Sequence, residues 1–511
     1  MNSTTIWILA AFVAYMGMML VIGASYMKTG KSTEDYFLGG RKLGGWVVAL
    51  SAQASDMSGW LLMGLPGSVY ALGTGQMWIA VGLFLGTVAN WLIISNRLRR
   101  YTIVANNSLT LPAYFENRFH DKKRILLGIS SIVIVIFFLV YTASAFASGG
   151  KLFSTVFGCS YHISLTIGAI IILAYTFMGG FMAVCVTDFI QGMLMLIALV
   201  TVPIIAYALM GGNLGGALAQ TGVTTANFLN VMKNGDNAFS AIDIISQLAW
   251  GLGYCGMPHI LVRFMAVKNQ KELNKSKGIA IVWVAISLAF AVIIGVLGRA
   301  YLYPTVLGEN GSSTETVFIE MITQLFTVDF RIPLVAGLFL CGILAAIMST
   351  ADSQLLVTAS SVSEDIYKGI VRKDATQDNV MKMSRITVVA VAVLAYLIAW
   401  DPNSSIMGLV SNAWAGLGAA FGPIVLMSLF WKRCNLPGSV AGIVSGGLTV
   451  IIWDYIPLVA GQTLGAVTGL YSLAIGFLIS ILLIVIVSLC TKAPDAAILA
   501  EFDRVVSNEE I

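Results

Sequence analysis

Charge is what this sequence lacks most. Only 11% of its 511 residues are Asp, Glu, Lys or Arg, while 58% are hydrophobic. Such a balance excludes a disordered chain and exceeds what one soluble core can hide. Cysteine is sparse too: Cys159, Cys185, Cys255, Cys341, Cys434 and Cys490 are scattered with no C-x-x-C spacing. No disulfide framework or thiolate metal site is expected from them, and within apolar segments they act as small hydrophobes. Histidine occurs only at 120, 162 and 259, too thinly for a zinc or haem centre. No long polar stretch is present either. The largest are near 211–238, 301–332 and 361–385, so no extramembrane domain is expected. That disfavours a sensor carrying a long signalling module. The first apolar segment has neither a basic n-region nor a small-residue cleavage site, and is expected to be a retained span.

Long, nearly uncharged runs fill the chain instead. Windows of about 20 apolar residues place thirteen spans, near 6–27, 46–72, 75–95, 125–150, 163–180, 186–210, 239–258, 279–300, 333–360, 386–401, 405–431, 438–457 and 468–490. An all-α integral membrane protein is therefore expected. If the N-terminus lies outside, alternate loops gather 25 of the 29 basic residues on the inner side. Only Lys151, Lys233, Arg299 and Arg331 are left outside. The positive-inside rule predicts this bias, with the C-terminus inside. The net charge of +4 then serves topology, and no nucleic-acid partner is implied.

Against this background SAQASDMSGW, Ser51–Trp60, stands out. Asp56 is the one ionisable residue between Trp46 and Leu72, and at a bilayer centre it costs about 2.5–3.5 kcal/mol on insertion scales. Ser51, Ser55, Ser58 and Gly59 weaken the helix around it. A broken helix is tolerated at that depth only within protein or beside a watery cavity, which suggests a midplane ion or substrate site. A second break is expected in WGLGYCGMPHI, with the helix ended by Pro258. Its Gly251, Gly253 and Gly256 satisfy G-x-G-x-x-G, but without a βαβ unit this is no dinucleotide site. Trp250 and Tyr254, four apart, are expected on one helical face, as a binding wall or as a packing stripe. In CGILAAIMSTADSQLL, Ala346, Ser349, Thr350 and Ser353 share one face. Two adjacent hydroxyls there are hard donors suited to an alkali cation, or else bond the backbone and neighbouring helices. Asp352 beside them is read as a second cation-path group or as the partner of an inner Lys or Arg.

The two broken segments open stretches of equal span number, 46–210 and 239–431, and so of opposite orientation. This is the layout of an inverted repeat whose site lies where the breaks meet. Around it fall an extra helix and inner loop (1–45), an outer loop (211–238), two further helices (432–490) and a cytoplasmic tail (491–511).

SAQASDMSGWLLMGLPG, YTFMGGFMAVCVTDFIQG, WGLGYCGMPHILVRFMAVK and LAAIMSTADSQLL resemble the diagnostic segments of the sodium:solute symporter family, in order and over nearly the whole chain. The likeness is nearest to the bacterial branch that carries proline with sodium. It implies a leucine-transporter-type fold of five-plus-five inverted repeats in the bacterial cytoplasmic membrane. It implies a sodium site from the carbonyls of Ala54, Met57 and Ala346 and the hydroxyls of Ser349 and Thr350, with Asp56 supporting. L-proline is expected near Ser58, Gly59, Trp60, Tyr141, Trp250, Tyr254 and Pro258. Arg41 and Asp188 resemble residues tied to coupling and intracellular sodium release. Asp352 has no counterpart role in that pattern.

Other readings compete on physical grounds. A relative carrying pantothenate, another amino acid or a compatible solute shares all these features. A channel requires a filter loop or a ring of like charges, and neither is visible. An enzyme requires clustered nucleophiles, bases or metal ligands at depth, and Asp56 stands alone among apolar neighbours. Proton coupling through Asp56 is the alternative within transport.

Overall fold

The computed structural model describes residues 3–26, 33–177, 180–309 and 313–507. Lys28 and Lys31, two of the basic residues counted above, lie outside them. Among the described residues, ten helices are long and apolar enough to cross a membrane: Ser3–Tyr26, Thr74–Val104, Ile125–Phe157, Phe181–Leu209, Gln270–Tyr301, Pro333–Val371, Gln377–Ile398, Ile406–Phe430, Leu436–Tyr455 and Ser472–Cys490. The other three expected spans take different forms. One is the shorter helix Tyr161–Thr176. One is interrupted between Gly45–Asp56 and Trp60–Leu72. The last is divided into Ala241–Leu248, a tight 3-10 stretch over Ala249–Gly256, and Pro258–Ala266.

Burial orders these helices. In Pro333–Val371 and Ile406–Phe430, 78% and 83% of the apolar window is enclosed by protein, against 33% in Ser3–Tyr26 and Gln377–Ile398. The first pair forms the centre of the bundle. The second pair turns apolar side chains such as Val13 and Leu397 outward, as a lipid-facing surface requires. The only sheet among the described residues is a two-stranded antiparallel hairpin in the 211–238 loop, pairing Lys233 with Ala238.

The loops grouped by charge do meet at one end. Arg41 bonds Asn107, Ser108 and Met265, and Arg99 bonds the carbonyls of Val267 and Lys268. Arg124 reaches Gly369, and Lys432 pairs with Asp503. The opposite end holds a different set, with Lys151 paired to Glu315 and Tyr161 bonded to Ala399. Two residues counted for topology prove to be something else. Arg263 and Arg118 are fully enclosed, so neither faces a watery loop.

Each break has a traceable backbone cause. Met57 leaves helical geometry at φ −86°, ψ 80°, and the Ser58 N–H turns to the Asp56 carbonyl at 3.0 Å. In a continuous helix it would have bonded Ala54, four residues back. The Leu61 N–H likewise bonds Ser58 rather than Met57, at 3.1 Å. Two carbonyls, of Ala54 and Met57, are thereby freed at the centre of the bundle. Gly59 lets the chain restart against Ile125–Phe157, since a Cβ there would stand 2.2 Å from Ser148 Oγ.

In the second break the expectation for Pro258 is reversed: it begins a helix rather than ending one. Proline suits a first helical position because its fixed φ fits and its missing N–H would have been unpaired anyway. The preceding 3-10 stretch also corrects the shared face of Trp250 and Tyr254. At three residues per turn, positions four apart diverge by about a third of a turn.

Gly59→Ala should lower the thermal unfolding midpoint of the detergent-solubilised protein, because overpacking of this kind costs about 1–3 kcal/mol. Adding Ser148→Gly should recover most of that loss, less the roughly 0.5–1 kcal/mol a mid-helix glycine costs. Non-additivity of the pair in the thermal scan is the readout.

Candidate ion and substrate site

The freed carbonyl of Ala54 faces the Ser349 helix. Ser349 Oγ donates to it at 2.8 Å, and Thr350 Oγ1 lies 3.5 Å from the same oxygen. Ser349 Oγ is also 3.2 Å from the Ala346 carbonyl. Four of the five expected ligands thus converge on one buried point, and Met57, three residues on from Ala54, has its carbonyl outside the helical ladder. All the donors are neutral hard oxygens, with no sulfur or imidazole among them, a set that fits a small alkali cation.

Asp56 sits at the same break but turns its side chain toward the second one. Its Oδ2 accepts the Tyr254 hydroxyl at 2.6 Å, and its backbone carbonyl accepts Trp60 Nε1 at 2.9 Å. Asp56 Oδ1 is buried without a hydrogen-bond partner. The Tyr141 hydroxyl faces Asp56, Ser58 and Trp60, yet makes no hydrogen bond of normal geometry. Ser58, Gly59, Trp60, Tyr141 and Tyr254 therefore surround one small region between the breaks. Trp250 does not point there with Tyr254. Its ring stacks on Tyr471 at 5.2 Å, its carbonyl accepts Trp414 Nε1, and Trp414 in turn stands edge-on to Tyr254 at 5.1 Å. Pro258 lines a narrow crevice toward the basic end together with Val262, Arg263 and Ser353.

One turn nearer the basic end lies a second buried cluster. Asp188 Oδ2 accepts from Ser51 Oγ at 2.7 Å and from Arg263 Nη2 at 3.1 Å. The same Arg263 nitrogen donates to Ser353 Oγ at 2.6 Å, and Ser353 lies beside Asp352 Oδ1. Ser51 precedes Ala54 by three residues and Ser353 follows Thr350 by three, so the two clusters run along the same two helices. Of the two roles considered for Asp352, the structure supplies an arginine close by, though Arg263 bonds it only through Ser353. Arg41 is not part of this cluster. It sits at the basic end with a left-handed φ of 51°, holding the 106–108 loop to the end of Pro258–Ala266.

Sequence reasoning missed Arg263 and Ser51 as site neighbours and the Lys151–Glu315 pair altogether. Arg263 was legible in part, as a charge only five residues past Pro258 in an otherwise apolar stretch. Glu315 was not, because nothing local separates it from other loop carboxylates.

The profile of the sodium:solute symporter family matches residues 36–446. A sodium/proline symporter of Staphylococcus aureus is 44% identical over 497 residues, covering 96% of this chain and 94% of its own. Its counterpart in strain JH9 is 45% identical over 498 residues, with the same coverage. Among solved structures, a substrate-bound, outward-open Na+-coupled sialic acid symporter superposes with a TM-score of 0.78 at 20% identity, covering 96% of this chain and 98% of that one. A nucleobase-cation-symport-1 family transporter in a closed conformation gives 0.53 at 12%, covering 92% and 98%. Those two likenesses carry the fold alone, the leucine-transporter type. With the profile spanning most of its length and relatives matched nearly end to end, the chain belongs to the sodium:solute symporter family.

Proposed function

We propose that this protein imports L-proline into the bacterial cell, driven by sodium, by alternating access. The observation that carries this reading is the junction of two sites through one side chain. The Ala54–Ala346–Ser349–Thr350 oxygen cluster and the aromatic region around Trp60, Tyr141 and Tyr254 meet at Asp56 and its neighbouring backbone. The near-full-length similarity to sodium/proline symporters supports proline as the solute.

Sodium binds beside the carbonyls of Ala54 and Met57, replacing the Ser349 donation to Ala54 as the hydroxyl ligands turn their lone pairs toward the ion. In doing so it fixes the first break, and with it Asp56, Ser58 and Trp60. An ion that orders the substrate wall in one conformation has the differential affinity that coupling demands. Inward movement of one charge across 100 mV is worth about 2.3 kcal/mol, roughly a 40-fold concentration ratio before any sodium gradient is added. Proline's compact apolar ring suits an aromatic wall, and its cationic nitrogen an aromatic face or a carboxylate oxygen. On this reading thirteen crossings, with the N-terminus outside and the C-terminus in the cytoplasm, enclose five-helix repeats over 46–210 and 239–431. Release proceeds past Asp188 and Arg41 at the basic end. The direct experiment is uptake of labelled proline into proteoliposomes with and without an imposed sodium gradient. Gradient-independent or unsaturable uptake would overturn the reading.

Asp56→Asn should keep its place in the fold yet raise the sodium concentration for half-maximal uptake about tenfold or more, since hydrogen bonds to a charged group contribute roughly 1.5–3 kcal/mol. Unchanged sodium dependence would remove Asp56 from the site. Ser349→Ala with Thr350→Ala removes both side-chain oxygens while keeping the helix. Sodium half-saturation should rise steeply, with proline affinity at saturating sodium much less affected. Tyr254→Phe and Trp250→Ala should separate from one another. The first loses the hydrogen bond to Asp56 and so weakens both sodium and proline binding. The second loses only the stack on Tyr471 and leaves sodium binding intact, which isothermal titration of the purified variants will resolve.

A further inference from the structure

His259 is the second residue of the helix Pro258–Ala266, just past the second break, and it is fully enclosed. Its ring packs edge-on to Phe138 at 5.4 Å and Tyr141 at 6.1 Å, both on the helix Ile125–Phe157. Neither Nδ1 nor Nε2 has a hydrogen-bond partner among the described residues. That is unusual, because a core histidine ordinarily has at least one nitrogen satisfied, and two buried unsatisfied nitrogens are costly. Its neighbour Tyr141 turns a buried hydroxyl toward Ser58 and Trp60 at the first break, without a well-formed hydrogen bond to either. Two polar side chains in ring contact, on two different helices, thus hold hydrogen-bonding capacity, that of His259 wholly unmatched by the described residues.

Position sets the sign of what they can take. The helix beginning at Pro258 points its amino end toward the break, with the Ile260 and Leu261 N–H groups both turned to the Met257 carbonyl. The positive end of a helix favours an anionic group. A neutral imidazole there offers one N–H donor, and the Tyr141 hydroxyl offers a second. Asp56 Oδ1, likewise without a partner and reached across Tyr141, is by contrast an acceptor. Donors on one side and an acceptor on the other match a zwitterion, whose carboxylate accepts and whose ammonium donates.

We propose that His259 is a substrate-binding residue, its ring N–H donating to the carboxylate of the transported zwitterion. This rests on the reading that the protein carries proline. His259→Phe keeps the ring packing on Phe138 and Tyr141 and removes both nitrogens, so it isolates the hydrogen bond. In proteoliposomes it should raise the KM for proline about tenfold or more, as loss of a hydrogen bond to a charged group does. Sodium half-saturation at saturating proline should stay at the wild-type value. The preference for L-proline over L-prolinol, which lacks the carboxylate, should fall by a similar factor, a change that mere misplacement of a packing residue does not produce. His259→Gln and His259→Asn place an amide N–H near Nε2 and Nδ1 respectively, and recovery by one of them identifies the donor atom. Should the Phe variant fail to insert, His259→Ala carries the same measurements. Unchanged KM and unchanged prolinol discrimination would return His259 to packing alone. Absence of sodium-driven proline uptake by the wild-type protein, measured alongside, would instead overturn the transport reading itself, and this assignment with it.

Discussion

Every backbone N–H and C=O at membrane depth must find a partner inside the protein, and the centre of this molecule is arranged around the places where a helix cannot supply one. A spanning helix satisfies itself; an interrupted one leaves carbonyls that only neighbouring helices or a bound ion can satisfy. At the first break the Ala54 carbonyl is met by Ser349 and Thr350, and the Asp56 carbonyl by Trp60 and Ser58. At the second, Trp414 meets the Trp250 carbonyl. The two most enclosed helices, Pro333–Val371 and Ile406–Phe430, supply the donors that come from outside the broken segments, Ser349, Thr350 and Trp414. Their burial and their polar residues therefore have one origin.

The same requirement explains why charge appears where it does. Asp188 and Arg263 are both enclosed, and a lone ion of either sign there would be far costlier than the pair. Ser51 and Ser353 complete their coordination, and they belong to the two helices that also present the Ala54, Ala346, Ser349 and Thr350 oxygens. Movement that shifts one helix against the other must therefore disturb the oxygen cluster and the ion pair together. Tyr254 links the second break to Asp56 in the same fashion, so the residues proposed for the ion and those proposed for the solute are not separable regions, contrary to what their spacing in the chain suggests.

Fold class, the ten long apolar helices and the meeting of most basic loops at one end were legible because lipid enforces them residue by residue. So were both breaks, and the common face of Ala346, Ser349, Thr350 and Ser353, since helical periodicity survives in that span. What failed followed from local geometry that periodicity cannot reveal. Trp250 and Tyr254 separate because their segment winds as a 3-10 helix, and Pro258 opens a helix because the break falls before it rather than after. Arg263 looked like a topological charge because counting basic residues is blind to whether a side chain faces water or a distant aspartate. Partners far apart in sequence, such as Ser51 with Asp188 or Asp56 with Tyr254, could be met only in three dimensions.

Glu315 has a consequence of its own. Its carboxylate receives the Lys151 ammonium at 2.6 Å, the Ser405 hydroxyl, and the backbone N–H groups of Ile406 and Met407, and so caps the amino end of Ile406–Phe430. Lys151 also holds the Ser404 carbonyl, and Gly67 of the first broken segment packs directly on the Glu315 backbone. Three elements that carry the central residues are thus tied at one point, at the end remote from the basic loops. Should they part, a carboxylate, an ammonium and a helix terminus all lose their partners at once, and water is the only replacement at hand. Because these contacts share one carboxylate and one ammonium, they are lost together rather than one by one, so separation at this end is a single costly step.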